Sequence, residues 1–333
     1  LRRAELSPNH TALTFEGQSW TCAEFAVRVR KLAAALRAGG VCKGDRVGYI
    51  GFNHPAFLET LYATACLGAV FVPLNFRLTG PEIRFIANDA GLHTLIADGA
   101  IRSVIDTERE NLSCQHYLAV EAQEQDAPCW QNLEALLETQ EALPISESVE
   151  PDDTAFIMYT SGTTGLPKGA MLSHGNVFWN NTNLLFGEHA MGDTTLTCAP
   201  LFHIGGLNVT TLVSMARGLH IVLIRSFDPG QVLENIERYK VASMFGAPMM
   251  FLMMSQHPSF ASSDLSSIQA LVCGGAPVPV PLMETYGERG ISFSQGYGLT
   301  ETAPFASILT TDLAAEKIGS AGQPPMFSEV RIV

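Results

Sequence analysis

The eleven residues Tyr159-Thr160-Ser161-Gly162-Thr163-Thr164-Gly165-Leu166-Pro167-Lys168-Gly169 decide how the rest of the chain is read. An apolar run from Ala155 to Tyr159 leads into them and is predicted to be a strand, which makes the Gly/Thr-rich stretch a loop at a strand end. Backbone N–H groups and three or four hydroxyls there can wrap a polyphosphate, and Lys168 adds a point charge. A Walker loop ends in Gly-Lys-Ser/Thr, whereas Pro167 precedes this lysine and Gly169 follows it. A P-loop phosphotransferase is therefore disfavoured.

Working outward, short apolar runs alternate with helical patterns. Thr21 and Glu24 have capping-box spacing, and Phe25, Val29, Leu32, Ala33 and Leu36 share one face, so a helix is predicted over about 22–38, closed by Gly39-Gly40. Strands are predicted at Arg46 to Ile50, Ala69 to Val72 and Thr94 to Ala97, with Asn53 capping a helix between the first two and a helix from Pro81 to Asn88. Beyond the loop, Leu219 to Ile224, Ala242 to Phe245 and Ile268 to Cys273 read as strands, and Val232 to Lys240 and Pro281 to Arg289 as helices. This alternation implies an α/β fold with parallel sheets covered by helices. Glu121 to Asp153 is acidic and proline-punctuated, with a short helix expected around Leu133 to Leu137. It is the best linker candidate by composition.

At 333 residues, 47% hydrophobic and 16% charged, the chain suits a globular enzyme of about two domains or one large lobed domain. A net charge of −13 and the small Leu1-Arg2-Arg3 cluster argue against a nucleic-acid surface. The seven cysteines lack CxxC spacing, which points to free thiols in a reducing cytoplasmic compartment. The uncharged runs Thr60 to Phe76 and Thr194 to Ala216 are interrupted by glycine, proline and other polar residues, so they read as buried core and no transmembrane segment is expected. No signal peptide is recognisable, and the first residue is Leu1 rather than Met.

Three further motifs follow the loop: Pro200-Leu201-Phe202-His203-Ile204-Gly205-Gly206-Leu207, then Gly274-Gly275-Ala276-Pro277, then Gln295-Gly296-Tyr297-Gly298-Leu299-Thr300-Glu301. With the loop, and in this order, they resemble the adenylate-forming (AMP-binding) superfamily, in particular acyl-CoA synthetases of the fatty-acid or aryl-acid CoA ligase type. The resemblance extends over essentially the whole chain. It implies two doubly wound α/β lobes, one at about 45–190 and the other from 1–44 with about 195–315, and the start of a small β-barrel subdomain at 316–333. This layout disagrees with the linker suggested by composition.

The resemblance also implies the chemistry: a carboxylic acid attacks the α-phosphate of ATP, pyrophosphate leaves, and the acyl group passes to coenzyme A. Thr160, Ser161, Gly162, Thr163, Thr164, Gly165 and Lys168 would hold the ATP phosphates. Gly274, Gly275, Ala276 and Pro277 would wall the adenine, with the flat face of Tyr297 opposite and Gln295 at the purine edge; Gly296, Gly298 and Leu299 complete that motif. Thr300 would donate to the α-phosphate and Glu301 would ligate Mg²⁺, so Lys168, Thr300 and Glu301 are the candidate catalytic residues. His203 is assigned to substrate positioning, and Gly205, Gly206, Gly246 and Ala247 are candidates to leave space for the acid, although small residues also serve close packing. Met244, Met249, Met250, Met253 and Met254 fit an adaptable apolar wall but fit plain core better. Cys273 is expected to be a buried thiol.

An amino-acid-activating relative would carry an acidic residue near the start of the His203 segment, and none is present, which favours an acid without an α-amine. Fatty, aryl and succinylbenzoate-like acids stay open. The alternatives are an adenylate-forming enzyme with another acceptor, luciferase-like or a carrier protein, and a non-catalytic nucleotide-binding module. A homodimer is left open. The family continues to a Thr-Gly-Asp segment, a hinge and a small C-terminal domain with a catalytic lysine, none of them in these 333 residues, so little activity is expected of the fragment by itself.

Overall fold

The computed structural model describes residues 1–123, 127–144, 146–161, 165–187, 192–314 and 316–332. In chain order its strands are β1 (Thr11–Phe15), β2 (Gln18–Thr21), β3 (Arg46–Ile50), β4 (Val70–Leu74), β5 (Leu92–Asp98), β6 (His116–Val120), β7 (Trp130–Asn132), β8 (Thr154–Thr160), β9 (Lys168–Ser173), β10 (Thr194–Thr197), β11 (His220–Leu223), β12 (Ser243–Gly246), β13 (Ala270–Gly274), β14 (Phe293–Gly298) and β15 (Phe305–Leu309). They form two sheets, and the chain divides into two compact units, Glu24–Gly175 and Leu1–Ala23 with Asn176–Val333. These bounds lie at 23/24 and 175/176, where the family layout had put them at about 44 and 190–195.

In the unit Glu24–Gly175 the strand order is β7-β6-β5-β3-β4-β8-β9. Every neighbouring pair is parallel except the β8–β9 hairpin at one edge. All five residues of β4 are buried, as expected of a strand covered on both faces. The strand runs on through Pro73 to Leu74, two residues past its predicted end. Its pairing with β8 is confined to Phe71↔Phe156, so the missing N–H of Pro73 interrupts little.

The predicted helix over 22–38 forms as Cys22–Ala38, and the helix after β3 is Pro55–Leu67. Its cap is His54 rather than Asn53: the imidazole Nδ1 accepts from Ala56 N–H at 3.1 Å, and Pro55 takes the first helical position, where no N–H is needed. The acidic segment 121–153 is not a linker. It adds β7 to the sheet edge and carries the helix Leu133–Thr139. Arg28, on the first long helix, bonds both the fully buried Glu59 and Glu134, whose Oε1 lies 2.6 Å from Nη2. Three helices are thereby tied together, with one arginine serving two carboxylates.

In the other unit the order is β15-β14-β13-β12-β10-β11-β1-β2, parallel in the centre and antiparallel only at the edge pairs β14–β15 and β1–β2. Its main core gathers Leu196, Val232, Ile236, Met244, Phe251, Tyr286 and Phe293. Met244 and Met254 are core residues as expected, whereas Met249 and Met253 face solvent. All seven cysteines are free. Among the described residues no helix is long and apolar enough to cross a membrane.

Candidate active site

The order β12-β10-β11 makes β10 the point at which the chain's progress across this sheet reverses, because β11 lies on one side of it and β12 on the other. Open α/β sheets bind ligands outside the carboxyl ends of their strands at such a switch. Four neighbouring strands deliver the predicted residues to that end of the sheet. Pro200 to His203 follow β10, Gly246 and Ala247 end β12, Gly274 to Pro277 end β13, and Tyr297 to Glu301 end β14.

The Gly-Tyr-Gly spacing has a steric cause. Side chains alternate across a strand, so Gly296 and Gly298 share one face of β14 and Tyr297 takes the other. A Cβ at Gly296 would lie 2.1 Å from the Phe305 ring, and one at Gly298 would lie 1.7 Å from the Pro304 carbonyl oxygen. Tyr297 on the opposite face is 55% exposed and presents an open ring. Gly275, Ala276 and Pro277 are exposed too, and Gly275 has φ +87, which favours glycine. Gln295 is buried, and its Oε1 accepts from Val278 N–H at 3.2 Å, so it fixes the loop over 275–278. Cys273 lies beneath this loop as the expected buried thiol, pushed up to about 12 by burial.

Thr300–Thr302 is a 3-10 turn that carries half-buried Thr300 and exposed Glu301. Thr302, which the sequence did not single out, closes it. Its hydroxyl accepts from Leu299 N–H at 2.8 Å and also bonds the Pro304 carbonyl. Asn208, equally unforeseen and fully buried, donates through Nδ2 to the Ala303 carbonyl at 3.3 Å.

His203 is exposed and stands at the N-cap of the helix Ile204–Asn208. The space expected beside the small residues is occupied by the unit's own groups. A Cβ at Gly205 would meet the Phe245 ring at 2.7 Å, one at Gly206 the Pro200 carbonyl oxygen at 2.2 Å, and one at Gly246 the Phe251 ring at 3.0 Å. These contacts leave no room for a side chain at the three glycines.

The eleven-residue loop belongs to the other unit. It is the connection of the β8–β9 hairpin, with Thr160 opposite Lys168 and Tyr159 opposite Gly169. Gly162, Thr163 and Thr164 lie outside the described residues. Ser161, Gly165 and Lys168 are exposed, Thr160 is half-buried, and Gly165 has φ +91. No group of three or more His, Cys, Asp or Glu side chains able to hold a metal occurs among the described residues. Glu301, exposed on its turn, is the carboxylate of these motifs that could share a magnesium ion with substrate oxygens. That arrangement fits a hard cation that is usually held by one or two carboxylates, substrate phosphates and water.

A family model described as AMP-binding enzyme matches residues 1–333. The chain belongs to the AMP-binding enzyme family. Among its relatives in that family, feruloyl-CoA synthase of Amycolatopsis sp is 44% identical over 333 residues, and indoleacetate–CoA ligase of Aromatoleum aromaticum is 39% identical over 334. Each match takes in 100% of this chain and 65% of the relative, so the chain spans about 65% of the length of these curated relatives. The N-terminal domain of FACL13 from Mycobacterium tuberculosis superposes with a TM-score of 0.90 at 31% identity, covering 98% of this chain and 81% of that one. O-succinylbenzoate coenzyme A synthetase from Bacillus subtilis, in complex with AMP, gives 0.81 at 30% identity, with 98% and 79% covered.

Proposed function

We propose that the protein activates a carboxylic acid with ATP, forming an acyl-adenylate and releasing pyrophosphate, and then transfers the acyl group to the thiol of coenzyme A. The observation that carries this reading is the convergence of three motifs on the carboxyl ends of β10, β13 and β14, with Gly246 and Ala247 at the end of β12 between them. In this reading Tyr297 and the exposed strip Gly275 to Pro277 receive the adenine. Thr300 donates to the α-phosphate, and Thr160 to Gly165 with Lys168 hold the outer phosphates. Mg²⁺ on Glu301 would supply charge neutralisation at the phosphates. His203 positions the acid.

An aryl acid without an α-amine is the favoured substrate, because the relatives at 44% and 39% identity are named for feruloyl and indoleacetate chemistry and no acidic residue stands in Pro200 to His203. A cytoplasmic location and a homodimer belong to the same proposal, as does the assignment of 316–333 to a further small subdomain. The test is a screen of carboxylic acids for pyrophosphate release by the full-length protein. Release that depends on an acid, followed by coenzyme A thioester formation, supports the reading. ATP binding without release with any acid would favour a nucleotide-binding module instead.

A further inference from the structure

Two of the converging motifs are joined by a side chain that belongs to neither. Asn208 ends the helix Ile204–Asn208, whose N-cap is His203, and it is fully buried. Its Nδ2 donates at 3.3 Å to the carbonyl of Ala303, the residue that follows the turn Thr300–Thr302. Its own carbonyl is held in the same way: Asn180, buried on the helix His174–Phe186, donates to it through Nδ2 at 2.9 Å. The short helix is fastened at a second point, where the Thr211 hydroxyl donates to the Gly206 carbonyl at 2.7 Å.

Ala303 is the point at which the bond can act on the turn. It is buried and has φ +67, in the left-handed region that a residue with a Cβ enters at a cost. Its N–H donates to the Thr300 carbonyl at 3.2 Å, and the reversal it makes brings the Pro304 carbonyl back to Leu299 N–H, also at 3.2 Å. Thr300 and Glu301 therefore sit on a loop closed at its base, and Asn208 grips that base. The burial of Asn208 is not fully compensated, because its Oδ1 has no hydrogen-bond partner among the described residues. A leucine of the same branched shape would bury no such oxygen. What the amide adds is a donor fixed between the helix of His203 and the turn of Glu301.

We propose that Asn208 is a positioning residue for the reaction: through Ala303 it sets the turn of Thr300 and Glu301 relative to His203, so that the α-phosphate and the acid carboxylate meet in line. The inference rests on the acid-activation reading above. An error of about 1 Å in such a placement costs on the order of a hundredfold in rate. The adenine side of the site does not depend on this bond, because Gln295 ties the loop over 275–278 and the pairing Tyr297↔Ser307 holds the strand.

The test titrates full-length wild type, Asn208→Ala and Asn208→Leu with AMP and with adenosine, no divalent cation being added. It also measures initial rates of pyrophosphate release with ferulate, or with the acid of the screen that wild type uses best. Leucine keeps the volume and lacks the donor, so it serves where the alanine variant fails to fold. Both variants are expected to bind adenosine as wild type does and AMP about tenfold more weakly, the scale of one lost hydrogen bond to a charged group. The kcat is expected to fall about tenfold or more while the KM for the acid changes little, as for an interaction made in the transition state. A folded leucine variant with wild-type AMP binding and kcat overturns the inference, as does a defect confined to alanine or an equal loss of AMP and adenosine. A wild type that binds neither nucleotide, or that releases pyrophosphate with no acid, overturns the function with it.

Discussion

Tyr159 and Gly169, the first and last residues of the phosphate-loop motif, face one another across the β8–β9 hairpin. The tyrosine ring occupies the space a side chain at Gly169 would need, with Cζ 3.2 Å from the position of a Cβ, and Ile157 Cγ2 is closer still at 2.7 Å. The Tyr159 hydroxyl donates to Asp89 Oδ2 at 2.6 Å. Burial first, and then the Asp89 carboxylate, hold that hydroxyl well above the ordinary tyrosine range, so it stays protonated and donating. The base of the loop is thus fixed by a ring over a glycine and anchored to the helix Gly80–Ala90.

Gly169→Ala is expected to destabilise the fold by about 1–3 kcal/mol, the usual range for an overpacked site, and to raise the KM for ATP because the loop base is displaced. Thermal melts and initial-rate kinetics check this. Gly169→Ala in a Tyr159→Leu background should recover part of the loss, since the ring that obstructs the Cβ is gone; full persistence of the defect would count against the ring as its cause.

Lys168 is exposed at the start of β9, and if it addresses the outer phosphates as proposed, Lys168→Ala should weaken ATP binding more than AMP binding. Isothermal titration with both nucleotides reads the difference. Equal losses would remove the assigned role.

Glu301→Gln keeps the shape of the turn but removes the charge a divalent cation needs. Acid-dependent pyrophosphate exchange by the full-length protein is expected to fall to background while the melting temperature stays within a few degrees. Retained exchange at the wild-type magnesium optimum would exclude Glu301 as the ligand.

Gln295→Leu removes the acceptor of Val278 N–H in a buried place, so the loop over 275–278 loses its tie. A cost of about 1–3 kcal/mol is expected for the unsatisfied donor, together with weaker AMP binding. Chemical denaturation and nucleotide titration separate the two effects.

The histidines His93, His174 and His220 all have pKa values lowered from 6.5 by burial. The His220 Nε2 lies 2.7 Å from the Thr14 hydroxyl, and its ring packs against Tyr239. A histidine with a lowered folded pKa binds its proton more weakly in the fold than in the unfolded chain. Its contribution is therefore complete above about pH 6.5 and is lost as pH falls toward the lowered values. Melting temperatures are expected to drop between pH 7.5 and 5.5, and His220→Gln should flatten part of that slope. A pH-independent melt over this window would contradict the sign.

The sequence by itself determined the α/β class and seven of the fifteen described strands, β3, β4, β5, β8, β11, β12 and β13, because buried parallel strands are continuous apolar runs and their helices have a periodic face. It also determined the motifs, whose residue types suit a nucleotide whatever surrounds them. It did not reveal β9, which begins inside the motif at Lys168-Gly169 and carries the exposed Met171, nor β7, an edge strand within the acidic segment that composition had marked as a linker. Edge strands owe their place to a neighbour's hydrogen bonds rather than to apolar content. Only the tertiary structure shows what the glycines pack against. Gly205, Gly206 and Gly246 fit either space for a substrate or close packing by sequence, and the fold places Phe245, the Pro200 carbonyl and Phe251 where their Cβ atoms would lie. A glycine's neighbours across a sheet come from residues tens of positions away, and no local pattern records them. The same holds for Asn208 and Thr302, whose partners shape the turn that carries Glu301.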